Sequence, residues 1–136
     1  MSGQNSLNEK QLIVLMLVRE IGEYMDKNPG EIKVSMSEAV DSILEGEDTP
    51  VKGIVVMDVL EELDNGGYIK YEGDDYCISE AGMACLEAVE KSLKEKPEGK
   101  NISVPINVNI NLQELIEAVT FVAGLIGRLF EKLNLV

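Results

Sequence analysis

The triplet Asn65-Gly66-Gly67 constrains the fold of this chain more than any other feature. Paired glycines after an apolar-periodic run stop a helix, because glycine accepts the left-handed conformation that a helix C-terminus needs. Tyr68-Ile69-Lys70-Tyr71 and Tyr76-Cys77-Ile78 follow, two short runs of strand-forming residues. Glu72-Gly73-Asp74-Asp75 supplies the turn between them. Ser79 then caps a further helix over about 80–96, with Met83, Leu86, Val89 and Leu93 on one face. Ahead of the triplet, Thr49-Pro50 opens the helix that the glycines close, since proline fits the first helical position where no amide donor is needed. Ile54, Met57, Leu60 and Leu63 share one face of it, with Val56 and Val59 beside them. The order from Thr49 to Leu86 is therefore helix, stop, hairpin, helix.

Two helices precede this unit. The first spans about 7–27: Ser6 stands three residues before Glu9, a capping-box spacing, and Asn28-Pro29-Gly30 ends the run. Its middle, Leu12 to Val18 apart from nothing polar, is apolar all round, which requires burial on more than one side. Glu31-Ile32-Lys33-Val34 reads as an extended link or small strand. Ser35 or Ser37 caps the second helix, whose buried stripe is Met36, Ala39, Val40, Ile43 and Leu44, and Gly46 ends it.

Beyond a polar linker at 97–101 the pattern changes. Ile102, Val104, Ile106, Val108, Ile110 and Leu112 alternate with Ser103, Pro105, Asn107, Asn109 and Asn111, the period of a strand, with Pro105 marking an edge position. A helix of about 22 residues follows. Leu115, Val119, Val122, Ile126, Leu129, Leu133 and Val136 keep the four–three spacing of a coiled-coil seam. The organisation expected is a domain over 1–96, the linker, and a strand–helix arm over 102–136. The fold class is mainly α (α+β), with a two-stranded hairpin, a C-terminal β-strand and a long amphipathic helix.

Charge and residue types exclude several functions. The formal net charge is −13, and residues 1–100 carry 10 Lys+Arg against 22 Asp+Glu. Such a field repels nucleic acid and anionic membranes unless positive charge is concentrated locally. Histidine is absent, which removes the usual general base and the commonest metal ligand. Cys77 and Cys85 do not form a close zinc or redox pair. Glu72, Asp74 and Asp75 lack the spaced oxygen ligands of a calcium loop and read as a solvated turn. No enzyme, cofactor or metal is expected. The N-terminal residues lack a basic n-region with an apolar core, and no apolar run is long enough to span a membrane, so a cytoplasmic setting without membrane partners is expected.

Leu60-Glu61-Glu62-Leu63-Asp64-Asn65-Gly66-Gly67-Tyr68-Ile69 resembles the end of a recognition helix and the entry to a wing strand. Tyr76-Cys77-Ile78-Ser79-Glu80-Ala81-Gly82 with Leu86 resembles the Y-x-L-T-x-x-G-x-x-x-L exit from a wing. Both occur in winged-helix transcription regulators, including those similar to the phenolic-acid-decarboxylase and multiple-antibiotic-resistance repressors. The resemblance covers roughly residues 7–95. It implies a winged helix whose third helix enters the major groove, whose wing tip meets phosphates, and which dimerises through elements outside the winged helix.

This chain departs from that pattern where DNA would be touched. Residues 49–64 contain one base, Lys52, against Asp58, Glu61, Glu62 and Asp64, and near the acidic wing tip only Lys70 is basic. The only arginines, Arg19 and Arg128, lie outside the motif, so neither can make the bidentate contact with guanine there. Lys52 and Lys70 are the candidate DNA contacts. The candidate homodimer interface is Ile102, Val104, Ile106, Val108, Ile110, Leu115, Val119, Val122, Ile126, Leu129 and Leu133. The resemblance implies a homodimeric, DNA-binding transcriptional regulator. The acidic third helix gives the alternative, an adaptor that keeps the fold and binds a protein partner instead of DNA.

Overall fold

The structure is a computed structural model that describes residues 7–94, 108–128 and 131. Its element order is α1 (Glu9–Lys27), α2 (Met36–Leu44), α3 (Val56–Asn65), β1 (Ile69–Glu72), β2 (Asp75–Ile78), α4 (Glu80–Lys94) and α5 (Leu112–Ile126). It is thus mainly helical, with one two-stranded antiparallel sheet.

α1 is the central element. Every residue from Leu12 to Val18 is buried, as an apolar-all-round helix requires. It packs against α2, α3, α4, α5 and β2. Its cap differs from the sequence expectation. Asn8, two residues beyond Ser6, accepts the Gln11 amide at 2.9 Å, and Gln11 Oε1 accepts the Asn8 amide at 2.9 Å. Leu7 therefore precedes the helix. It is buried in extended conformation, and its carbonyl accepts the Asn109 amide at 2.7 Å beside a parallel bridge to Val108.

α2 begins with a reciprocal Ser35–Glu38 capping box and also receives an acid from the hairpin. Both Asp75 carboxylate oxygens accept the Met36 amide, at 2.8 and 3.1 Å, where a helix N-terminus favours negative charge. Asp75 is thus a structural tie between β2 and α2, not part of a solvated turn. Residues 31–34 form a turn and an irregular link, with no strand.

α3 starts at Val56, six residues after the expected Pro50. The Thr49 hydroxyl donates to the Val51 carbonyl at 2.7 Å, and Gly53 adopts φ +76°, so the chain from 49 to 55 is irregular. The buried stripe of α3 is Val56, Val59, Leu60 and Leu63, which leaves Met57 outside. The glycine stop forms as read. Tyr68 N–H reaches the Leu63 carbonyl at 2.9 Å and Gly67 N–H the Asp64 carbonyl at 3.1 Å, with Gly67 at φ +82°. This pair of bonds is a Schellman motif.

β1 and β2 pair in the register Ile69↔Ile78 to Glu72↔Asp75. The connection is two residues, tighter than the four expected. Gly73 and Asp74 both take positive φ, 62° and 81°, as the hairpin turn matching strand twist requires. α4 then starts against the hairpin: Ser79 N–H donates to the Tyr68 carbonyl at 3.1 Å, and Ser79 Oγ accepts the Gly82 amide at 3.1 Å.

The arm shares the core of the rest. Leu115, Ala118, Val122 and Leu125 of α5 are buried in one cluster with α1. The alternating stretch departs from a strand within the described residues. Val108 makes an isolated bridge, Asn111 caps α5 in a reciprocal box with Glu114, and Leu112 is already helical. An asparagine with glutamate three residues on is a strong helix start, and here it overrides the alternation. Residues 102–107 and the 97–101 linker lie outside the described residues. Arg128 closes the far end of α5, donating from both guanidinium nitrogens to Glu47 at 3.0 and 3.1 Å.

Candidate interaction surface

The outward side of α3 carries Met57, Asp58, Glu61 and Asp64, all exposed. Glu62 turns towards α1, where Gln11 Nε2 donates to it at 2.9 Å. No basic residue lies within Val56–Asn65. Lys52 lies in the irregular segment before the helix. Its side chain is 91% exposed and 4.0 Å from the Asp48 carboxylate, a weak surface pair. Lys70, on β1, is 3.6 Å from Glu72. Both candidate DNA-contact lysines are therefore exposed, each beside a carboxylate, and neither is on α3. The two arginines hold the fold together: Arg19 of α1 meets Glu90 of α4 at 2.6 Å, and Arg128 meets Glu47.

A groove of about 470 Å³ runs between the start of α2 and the start of α3. Ser37, Glu38 and Asp41 line one side, and Ile54, Val55 and Met57 the other. Val55 and Met57 are each 55% exposed, unusual for large apolar residues. Val55 occupies the N-cap position of α3 and offers no side-chain oxygen to its first-turn amides. The spacing of Ile54, Met57, Leu60 and Leu63 puts Met57 on the apolar stripe and leaves Val55 unmarked. The competing spacing 56, 59, 60, 63, a better helical stripe, was the available signal.

The candidate dimer residues separate into three groups. Val108, Leu115 and Val122 are buried in the chain's own core, so they present nothing to a partner in this arrangement. Ile110, Val119 and Ile126 are half-buried and pack on that core from its edge. Ile102, Val104, Ile106, Leu129 and Leu133 lie outside the described residues. The core stripe of α5 uses Ala118 and Leu125 in place of Val119 and Ile126. Its outward side exposes Ile116 (46%), Ala123 and Gly124.

Other chemistry is sparse among the described residues. Cys77 is half-buried and Cys85 is buried, and neither is in a disulfide. Burial, and then the nearby Glu72 carboxylate, raise the Cys77 thiol above its ordinary value, which makes it a poor nucleophile. No group of three acidic or cysteine side chains is placed to hold a metal ion among the described residues. No described helix is long and apolar enough to cross a membrane. A crevice of about 190 Å³ lies between α1, α4 and α5, lined by Met16, Leu86, Val89 and Val119 with Arg19 and Glu90 beside them.

No protein-family model, curated protein or solved structure matches the chain.

Proposed function

We propose that this protein is an acidic winged-helix module that acts as a homodimeric adaptor for another protein and does not bind DNA. The element order α1–α2–α3–hairpin–α4 supports the winged-helix reading. The observation that carries the adaptor reading is the outward side of α3. Asp58, Glu61 and Asp64 are exposed there with no base among them, on the surface that a DNA-binding winged helix would turn into the major groove of a polyanion. Each carboxylate facing the duplex weakens binding, and the two nearby lysines already stand beside acids. The function requires no catalytic group, cofactor or metal. The outward side of α5, with Ile116, Ala123 and Gly124, supplies the self-contact.

The second reading, a DNA-binding regulator, is favoured by the exposure of Lys70 on the hairpin. A mobility-shift assay with a random-sequence duplex pool at low salt separates the two, since electrostatic affinity is greatest there. The adaptor leaves the duplex unshifted. A salt-sensitive shift abolished by Lys52→Glu with Lys70→Glu assigns the regulator instead.

A further inference from the structure

We infer that the groove between α2 and α3 docks a basic polypeptide segment that inserts an apolar side chain between Val55 and Met57. The inference rests on the adaptor reading and names its site and partner class. The wall formed by the start of α3 is apolar, with Ile54, Val55 and Met57, and it includes two of the most exposed large apolar side chains in the described residues. Methionine is unbranched and polarizable, suited to closing around a side chain of variable shape. The α2 wall is acidic, with Glu38 and Asp41, and the exposed Asp58 and Glu61 lie further along α3. No lysine or arginine lines the groove. A volume of about 470 Å³ accommodates one large side chain with its flanking backbone.

Charge selects the occupant. A duplex would bring phosphates against the rim. A second copy of this chain would bring a formal charge of −13. A segment bearing lysine or arginine beside an apolar anchor sets its charge against Glu38 and Asp41 and its anchor against Val55 and Met57, which favours encounter and fixes register. Val55, Val56 and Met57 line the groove, and Val55 gives the first-turn amides of α3 no side-chain cap.

The test compares two synthetic peptides of equal charge, one alternating leucine with lysine and one alternating serine with lysine. Each is titrated into the full chain at physiological salt while backbone amide shifts are followed by NMR. The leucine peptide shifts Ser37, Asp41, Val55 and Met57 saturably and binds on the order of tenfold tighter than the serine peptide, the gain from burying one aliphatic side chain. Val55→Ser with Met57→Ser erases that difference. Both positions are exposed, so the spectrum elsewhere reports an intact fold. Equal binding of the two peptides, with shifts scattered over the acidic surface, overturns the proposal by leaving charge alone. Saturable leucine-selective binding at another face overturns the groove but spares the adaptor reading. Loss of selective binding together with a low-salt DNA shift overturns both. Concentration-dependent shifts at Val55 and Met57 without peptide replace the partner with a second copy.

Discussion

Gly82 sits where α4 meets the hairpin. A Cβ built on it would collide with the Tyr68 carbonyl oxygen and lie 2.8 Å from Ile78 Cγ1. The obstacle is backbone already fixed by two bonds, Tyr68 N–H to Leu63 and Ser79 N–H to the Tyr68 carbonyl. Neither side can retreat without opening the Schellman turn or the start of α4. Gly82→Ala is therefore expected to cost about 1–3 kcal/mol, read as a lowered midpoint in urea denaturation. The residue was legible as the glycine of the wing-exit pattern, but its reason, a close approach of two backbones, appears only in three dimensions. Asp75 is the opposite case. In sequence it is one of several acids in a polar turn, and nothing local marks it as the acid that meets the Met36 amide 39 residues away. Asp75→Ala removes a carboxylate from a helix N-terminus and is expected to cost about 0.5–2 kcal/mol. Hydrogen exchange at Met36 should accelerate, while exchange at Glu38, held by Ser35, changes less.

Among elements, the contact of α1 with α5 holds the sharpest electrostatic conflict. Glu9 is only 8% exposed, and its carboxyl group lies against that of Glu117. Burial, then the Glu117 and Glu114 carboxylates in the N-terminal half of α5, raise its pKa above the ordinary 4.5. The folded state therefore holds the Glu9 proton more tightly than the unfolded chain. Its contribution is fully present below 4.5 and is lost as pH rises through the raised folded value. Ionised Glu9 is thus unfavourable at neutral pH, although it gains slightly from the α1 dipole. Glu9→Gln is expected to stabilise the protein at pH 7, with the gain shrinking towards zero as pH falls below the usual carboxylate range. Thermal melts of both proteins across that range check the sign. A Gln variant that loses stability at neutral pH would show that the dipole outweighs burial. The same pair of elements shows where periodicity misleads. The seam through Leu115, Val119, Val122 and Ile126 is a valid coiled-coil register. Yet α5 lies on α1 through Leu115, Ala118, Val122 and Leu125, one residue aside at alternate positions. A coiled-coil seam assumes an unspecified partner helix, whereas the partner here is a buried helix in the same chain. At α3, Thr49-Pro50 satisfied every local rule for a helix start. The left-handed Gly53 and the partial burial of Val51 and Ile54 moved the start to Val56.

At the scale of the whole molecule, the charge distribution decides which surfaces two copies can share. The formal charge of −13 opposes self-association over most of the surface, but residues 101–136 carry only 2 Lys+Arg against 3 Asp+Glu. The outward side of α5 lies in that nearly neutral region. It combines Ile116 with the small residues Ala123 and Gly124, which let two helix backbones approach closely, and the half-buried Val119 and Ile126 flank them. A two-fold axis near Ala123 would run the paired helices antiparallel. Glu114 and Glu117 of one copy would then lie away from the same residues of the other, so these acids do not oppose each other. Ala123→Glu places a carboxylate and its mirror image at the centre of that contact, where burial and like charge both act against association. The position is exposed in the single chain but also lines the crevice between α1, α4 and α5 with Glu20 and Glu90, so helix content is the control for an intact fold. Light scattering is expected to give twice the chain mass for the parent protein and the single mass for Ala123→Glu, with unchanged helix content by circular dichroism. A parent protein that stays monomeric at micromolar concentration removes the homodimer. A variant that still dimerises moves the contact to another face.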